Sequence, residues 1–209
     1  MFEHCRGLAI ESVDGAVIED ITVDNLAMRD LTTSPLFIRL GRRMRAPEGT
    51  KVGAIRRVNI SNVTVSQANA PYASIVAGLP EAPVEDVRIS NLTVVHGGGG
   101  RAADLQRQIP EHADHYPEPS MFGVTPAYGL YVRHARNLSV HHADLRTAAR
   151  EGRPPVVLHE VDGAGFEHVR FAHDAAAPTF VLQDVRGFAV HDAQGLRDIA
   201  RASHGRASF

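Results

Sequence analysis

The sequence is short of the residues that usually announce special chemistry. Its 209 residues include one cysteine, Cys5, and one lysine, Lys51. A single cysteine excludes an internal disulfide framework. It leaves the compartment open, because stacked hydrogen-bonded strands need no covalent staples. Positive charge is carried almost wholly by arginine, and the formal net charge is only −2. That balance gives no case for a nucleic-acid or membrane-surface partner. No apolar run approaches the roughly 20 residues of a membrane-spanning helix. The first residues, Met1-Phe2-Glu3-His4-Cys5-Arg6, lack a basic-then-apolar leader pattern and read as the middle of a larger unit. What is present is ordinary: 44% hydrophobic and 22% charged residues, the balance of a folded domain rather than a disordered chain.

A short phrase recurs. It runs Val17-Ile18-Glu19-Asp20-Ile21-Thr22-Val23-Asp24-Asn25-Leu26, then Ile55-Arg56-Arg57-Val58-Asn59-Ile60-Ser61-Asn62-Val63, then Val84-Glu85-Asp86-Val87-Arg88-Ile89-Ser90-Asn91-Leu92. Weaker copies lie at 137–143, 168–173 and 188–192. Apolar and polar residues alternate in each copy, the period of a half-buried strand. Asn25, Asn62 and Asn91 end the alternation. Asn tolerates left-handed backbone angles and hydrogen-bonds within its own turn, so the three are expected to stack as a ladder.

A second strand series precedes the first in each repeat: Leu8-Ala9-Ile10-Glu11, Leu36-Phe37-Ile38-Arg39, Ser74-Ile75-Val76-Ala77, Leu130-Tyr131-Val132-Arg133, Val156-Val157-Leu158-His159 and Phe180-Val181-Leu182-Gln183. Short strands repeating without helices, save a helical trace near 101–109, predict an all-β solenoid. Propeller blades, the rival, would need four antiparallel strands per repeat and Gly-rich hairpins. The whole chain, 1–209, reads as one domain. It is interrupted by a long insertion at about 97–127 that opens on Gly97-Gly98-Gly99-Gly100. No Lys-Ser/Thr follows those glycines, so they do not form a phosphate loop.

In register, Ile10, Ile38, Val76, Val132, Leu158 and Leu182 point inward. Their neighbours on either side point outward. The outward positions include Glu11, Arg39 and Arg133, flanked by Phe37 and Tyr131. Such a column suits an extended sugar chain. Arginine holds a uronate carboxylate through two hydrogen bonds, and aromatic rings lie against sugar rings. Glu11, Phe37, Arg39, Tyr131 and Arg133 are therefore the expected substrate-binding residues. The plain alternative is a solvated face with scattered charges.

Cys5-Arg6-Gly7-Leu8-Ala9-Ile10-Glu11, followed by Asp14-Gly15 and Val17-Ile18-Glu19-Asp20-Ile21, resembles the bacterial polygalacturonases of glycoside hydrolase family 28. Pro35 to Gly41 and the stretches Tyr116-Pro117-Glu118-Pro119 and Pro126-Ala127-Tyr128-Gly129-Leu130 add to the resemblance, which covers roughly residues 1–175. It implies a single-stranded, right-handed parallel β-helix of the pectin-lyase-like kind. It also implies inverting hydrolysis of pectin or rhamnogalacturonan-type polysaccharides, and a periplasmic or secreted setting. In the family an Arg and a Lys flank the central isoleucine and bind a substrate carboxylate. Here Ala9 and Glu11 stand in their places, which implies a sugar without a carboxylate at that point.

The family's catalytic elements, an Asn-x-Asp, an Asp-Asp pair and a Gly-His-Gly, precede this strand, and none occurs in the chain. No catalytic residue is expected, the chain reads as N-terminally truncated, and its exposed first repeat is expected to self-associate. A non-catalytic β-helix that binds polysaccharide or serves a structural role in assembly is the alternative. A polysaccharide lyase would need a calcium-binding carboxylate cluster that the outward column lacks. No cofactor or metal is expected. His112-Ala113-Asp114-His115 has ligand types at close spacing but no further partners. His141 and His142 should face opposite ways, and Cys5 should pack in the core.

Overall fold

The alternating phrases become strands, and each lies parallel to the next copy of itself. The computed structural model describes every residue except Ala70 and His173, with His204 described by its backbone alone. The strands are β1 (Phe2–Glu3), β2 (Leu8–Ser12), β3 (Val17–Arg29), β4 (Leu36–Leu40), β5 (Ala54–Ala68), β6 (Ser74–Ala77) and β7 (Val84–His96). They continue with β8 (Leu130–Thr147), β9 (Val156–Glu167), β10 (Arg170–Phe171), β11 (Phe180–His191) and β12 (Ile199–Ser208). The protein is thus all-β, with a mostly parallel 12-stranded sheet. Among the described residues no helix is long and apolar enough to cross a membrane.

The two strand series pair in the register read from the sequence. Ile10 stands beside Ile38, Ile38 beside Val76, Val76 beside Val132, Val132 beside Leu158, and Leu158 beside Leu182. In the second series Val23, Ile60, Ile89, Val140, Phe166 and Val190 line up in the same manner. From the second tier onward these side chains are buried, and together they form the main core. Each stacked branched side chain excludes water from the one beside it, so burial grows with every tier added.

Left-handed residues turn the chain between segments. Asn25, Asn62, Asn91, His142, His168 and Asp192 occupy one column, each with φ between 48° and 58°. The expected Asn ladder forms between Asn62 and Asn91, while at the first tier Asp24 takes the place of Asn25, whose amide donates to Asp24 Oδ2 at 3.0 Å. Asn91 Nδ2 donates to Asn62 Oδ1 at 2.9 Å, and Asn62 Nδ2 donates to Asp24 Oδ1 at 2.7 Å.

The ends of the stack differ. At one end β12 runs antiparallel along β11 and closes that edge, with Phe209 stacked on Phe188 at 6.0 Å. At the other end, among the described residues, β3 meets only the two-residue β1 on its outer side. Its inward residues Ile18, Ile21, Val23 and Leu26 are only partly buried. Cys5 likewise packs against the core without being fully covered.

The insertion contains two short 3-10 turns, Ala102–Gln106 and Pro119–Phe122. It folds back over the outer face of β4, β6 and β8. The tetraglycine has a structural use there. A Cβ on Gly100 would stand 2.1 Å from Arg153 Nε and 2.2 Å from Glu151 Oε1, so only glycine lets the chain cross this buried ion pair.

Candidate functional site

The outward column assembles in the expected order. Glu11 lies beside Arg39, Arg39 beside Ala77, Ala77 beside Arg133, and Arg133 beside His159. Phe37, Ile75, Tyr131 and Val157 form the flanking column. These residues do point away from the main core. They do not meet solvent. Phe37, Arg39, Tyr131 and Arg133 are between 1% and 3% exposed. The open face expected of them is corrected here: the insertion covers it. Phe122 from the second 3-10 turn packs edge-on against Phe37 at 6.0 Å and against Tyr131 at 6.3 Å. Leu105, Ile109 and Met121 complete a second apolar cluster.

The two buried arginines act as straps. Arg39 donates to the backbone oxygens of Glu111 at 2.8 Å and His112 at 3.3 Å, and to Gly78 O at 3.1 Å. Arg133 donates to Ile109 O at 2.6 Å and Pro110 O at 3.0 Å, and meets Glu111 Oε1 at 3.4 Å. Both guanidiniums lie over the Phe122 ring, at 5.7 and 5.8 Å from its centre. Burial, helped by the charge of Arg133, brings Arg39 down to about 10, so it stays a cation at neutral pH. Beside them His134, itself 3% exposed, places Nε2 at 3.0 Å from Glu111 Oε1 and Nδ1 at 3.1 Å from Glu160 Oε2. Charged groups that would suit a sugar acid are here spent on backbone carbonyls and loop carboxylates.

The column is open at its two ends, at Ala9 and Glu11 and again at the half-buried His159 and Gln183, and covered between them. Ala9 is exposed and Glu11 half-buried at the rim of the insertion. Arg6 reaches across to donate to Glu118 Oε2 at 2.6 Å. Burial pushes the Glu11 carboxyl up, the Glu118 carboxylate adds to the rise, and Arg6 opposes it. Arg6 and Glu118 were not expected from the sequence. They are 112 positions apart, and only the return of the insertion brings them together.

The other candidates resolve simply. The His112 and His115 rings stand 4.5 Å apart edge to face, and among the described residues no group of three or more His, Cys, Asp or Glu is arranged to hold a metal. His141 and His142 do face apart. His141 meets Glu167, and His142 stacks on His168 at 4.8 Å.

Comparison with known proteins yields no match to a family model, a curated protein or a solved structure.

Proposed function

We propose that this chain is part of a polygalacturonase-like glycoside hydrolase, a right-handed parallel β-helix acting with inversion on pectin or rhamnogalacturonan-type polysaccharides. In this reading the hydrolytic carboxylates lie on tiers that precede β2, and the present residues supply the end of the binding cleft. The observation that carries the reading is the half-covered outward column. It is open at Ala9 and Glu11, and the next positions, from Phe37 and Arg39 to Tyr131 and Arg133, are walled off by a strapped insertion. An open stretch that stops against this wall suits the terminus of a sugar chain. Glu11 offers a carboxyl to sugar hydroxyls where a cation would be needed for a uronate. The partly buried face of β3 would then pack against the tier before it, or against a second copy of the chain.

Titration calorimetry with rhamnogalacturonan and polygalacturonate oligosaccharides tests this. The rhamnose-containing chain should bind more tightly, and Glu11→Ala should weaken it by about tenfold, the loss of one charged hydrogen-bonding group. Glu11→Lys should turn the preference toward polygalacturonate. No binding by either glycan, or an Ala variant that binds unchanged, would overturn the assignment. A non-catalytic polysaccharide-binding β-helix is the second reading, favoured by the missing Asn-x-Asp, Asp-Asp and Gly-His-Gly elements. Binding without release of reducing ends, measured on the intact native protein, separates it from the first.

A further inference from the structure

On a different face of the sheet, Ser139, His141 and Glu167 form a connected set. Ser139 and His141 are two apart on β8 and so share its outward face. His141 stands directly beside Glu167 of β9. Ser139 Oγ hydrogen-bonds His141 Nε2, and His141 Nδ1 meets Glu167 Oε2 at 3.1 Å. One imidazole nitrogen faces a hydroxyl and the other faces a carboxylate. That division of roles is the one a serine nucleophile requires.

The surroundings fit an incoming ester. The neighbour of Ser139 on β9 is Gly165, and a Cβ built there meets nothing within 4 Å, so the side of the hydroxyl is open. Gly163, Gly187 and Ala189 continue this low floor in a shallow hollow that also takes in Asn59 and Arg88. On the other side Ser139 has Arg88 of β7 as its register partner. Arg88 is exposed. Arg88 stands one strand away, about 4.8 Å across the sheet, and lines the same hollow, so its side chain is long enough to extend over Ser139. A cation there can meet the negative charge that develops on a carbonyl oxygen under attack.

We propose that Ser139, His141, Glu167 and Arg88 form a serine esterase site for small O-acyl groups on an extended or surface-lying substrate. Ser139 Oγ attacks the ester carbonyl carbon while its proton passes to His141 Nε2. The bond from that carbon to the alcohol oxygen breaks, and the alcohol leaves with the proton from His141. Water then attacks the acyl-Ser139 carbonyl, giving up a proton to His141. The carboxylic acid departs and the proton returns to Ser139 Oγ. Glu167 is the positioning residue. It fixes the imidazole with Nδ1 carrying the hydrogen and stabilises the imidazolium formed in each half. The open face imposes no limit on the alcohol, so an acyl ester on a polymer fits as well as a small one. This activity stands apart from the glycan cleft at Glu11 and does not depend on it.

The test uses the native chain with a fluorophosphonate reagent and with p-nitrophenyl acetate. The reagent should add its mass to the peptide containing Ser139 in the folded protein and not in the urea-unfolded one. Ser139→Ala and His141→Gln should each lower kcat/KM by about a hundredfold or more, the range for loss of a nucleophile or a general base. Arg88→Gln should lower it by about a hundredfold, with KM little changed. All three positions face outward, and an unchanged thermal midpoint confirms that each variant is folded. A Ser139 that stays unlabelled in the folded protein overturns the proposal without any variant. So does a Ser139→Ala protein that hydrolyses the ester at the native rate.

Discussion

The Asn91 side-chain amide donates to the Asn62 side-chain oxygen at 2.9 Å, one tier beyond the bond that Asn62 itself donates to Asp24. Asn62 is therefore the middle link of a ladder. It also holds a left-handed backbone at φ 54°. Two separate costs follow from its loss. Asn62→Ala removes both ladder bonds and puts a Cβ without a compensating polar group in the left-handed region. The expected destabilisation is about 1–2 kcal/mol. Asn62→Gly removes the same bonds but suits the backbone, and should recover about 1 kcal/mol of that loss. Urea unfolding of the three proteins checks the order. Equal losses for Ala and Gly would mean that the backbone angle carries no cost.

Phe122 is the pin of the insertion. It is 3% exposed, touches Phe37 and Tyr131 at their ring edges, and lies under both Arg39 and Arg133. Phe122→Ala should remove about 3–5 kcal/mol of packing from the second cluster. The main core is separate and its contacts remain. We therefore expect the loss to appear as local opening. Limited proteolysis should cut within 97–127 at least tenfold faster, while the strand signal in circular dichroism stays as in the native protein. A variant that loses its strand signal along with the insertion would show the two clusters to be one cooperative unit.

The stack was legible because a strand with one buried face writes its geometry into alternate residues. Ile10, Ile38, Val76, Val132, Leu158 and Leu182 could be aligned by that period alone, and left-handed turns at Asn25, Asn62 and Asn91 marked where each segment stops. The covering of the outward column was not legible. Alternation tells which way Arg39 and Arg133 point, but not what returns from 72 or 24 positions away to meet them. Arginine on an outward position normally means solvent. Here its donors are taken up by the carbonyls of residues 109–112, whose sequence carries no repeat. The closing strand β12 was hidden for another reason. Ile199 is its only large apolar residue, so its alternation is too weak to read, and its antiparallel pairing to β11 rests on backbone bonds. Ser139, His141 and Glu167 needed the register of β8 against β9, which two separate weak repeats do not specify until they are stacked.

His96 sets the response to acid. It is 1% exposed, packs edge-on to Tyr128 at 5.4 Å, and neither ring nitrogen has a hydrogen-bond partner among the described residues. Burial, with the positive charge of Arg153 adding to it and Glu151 opposing, brings its pKa down from 6.5 to about 3. The folded protein therefore keeps His96 neutral where the unfolded chain would protonate it. Protons then bind more to the unfolded state, so stability present above pH 6.5 is lost as pH falls toward 3. The slope of this single group is about 1.4 kcal/mol per pH unit. His96→Phe removes the titration and keeps a ring against Tyr128. His96→Leu removes it with a smaller side chain. Both variants should lie within about 1 kcal/mol of the native protein at pH 7.5, since an unpaired polar group is exchanged for an apolar one. Between pH 6.5 and 4.5, above the carboxylate range, both should lose stability less steeply than the native chain. Denaturant midpoints across that interval decide the matter. Parallel curves for all three proteins would show that His96 takes up its proton in the folded state and that the core admits the charge.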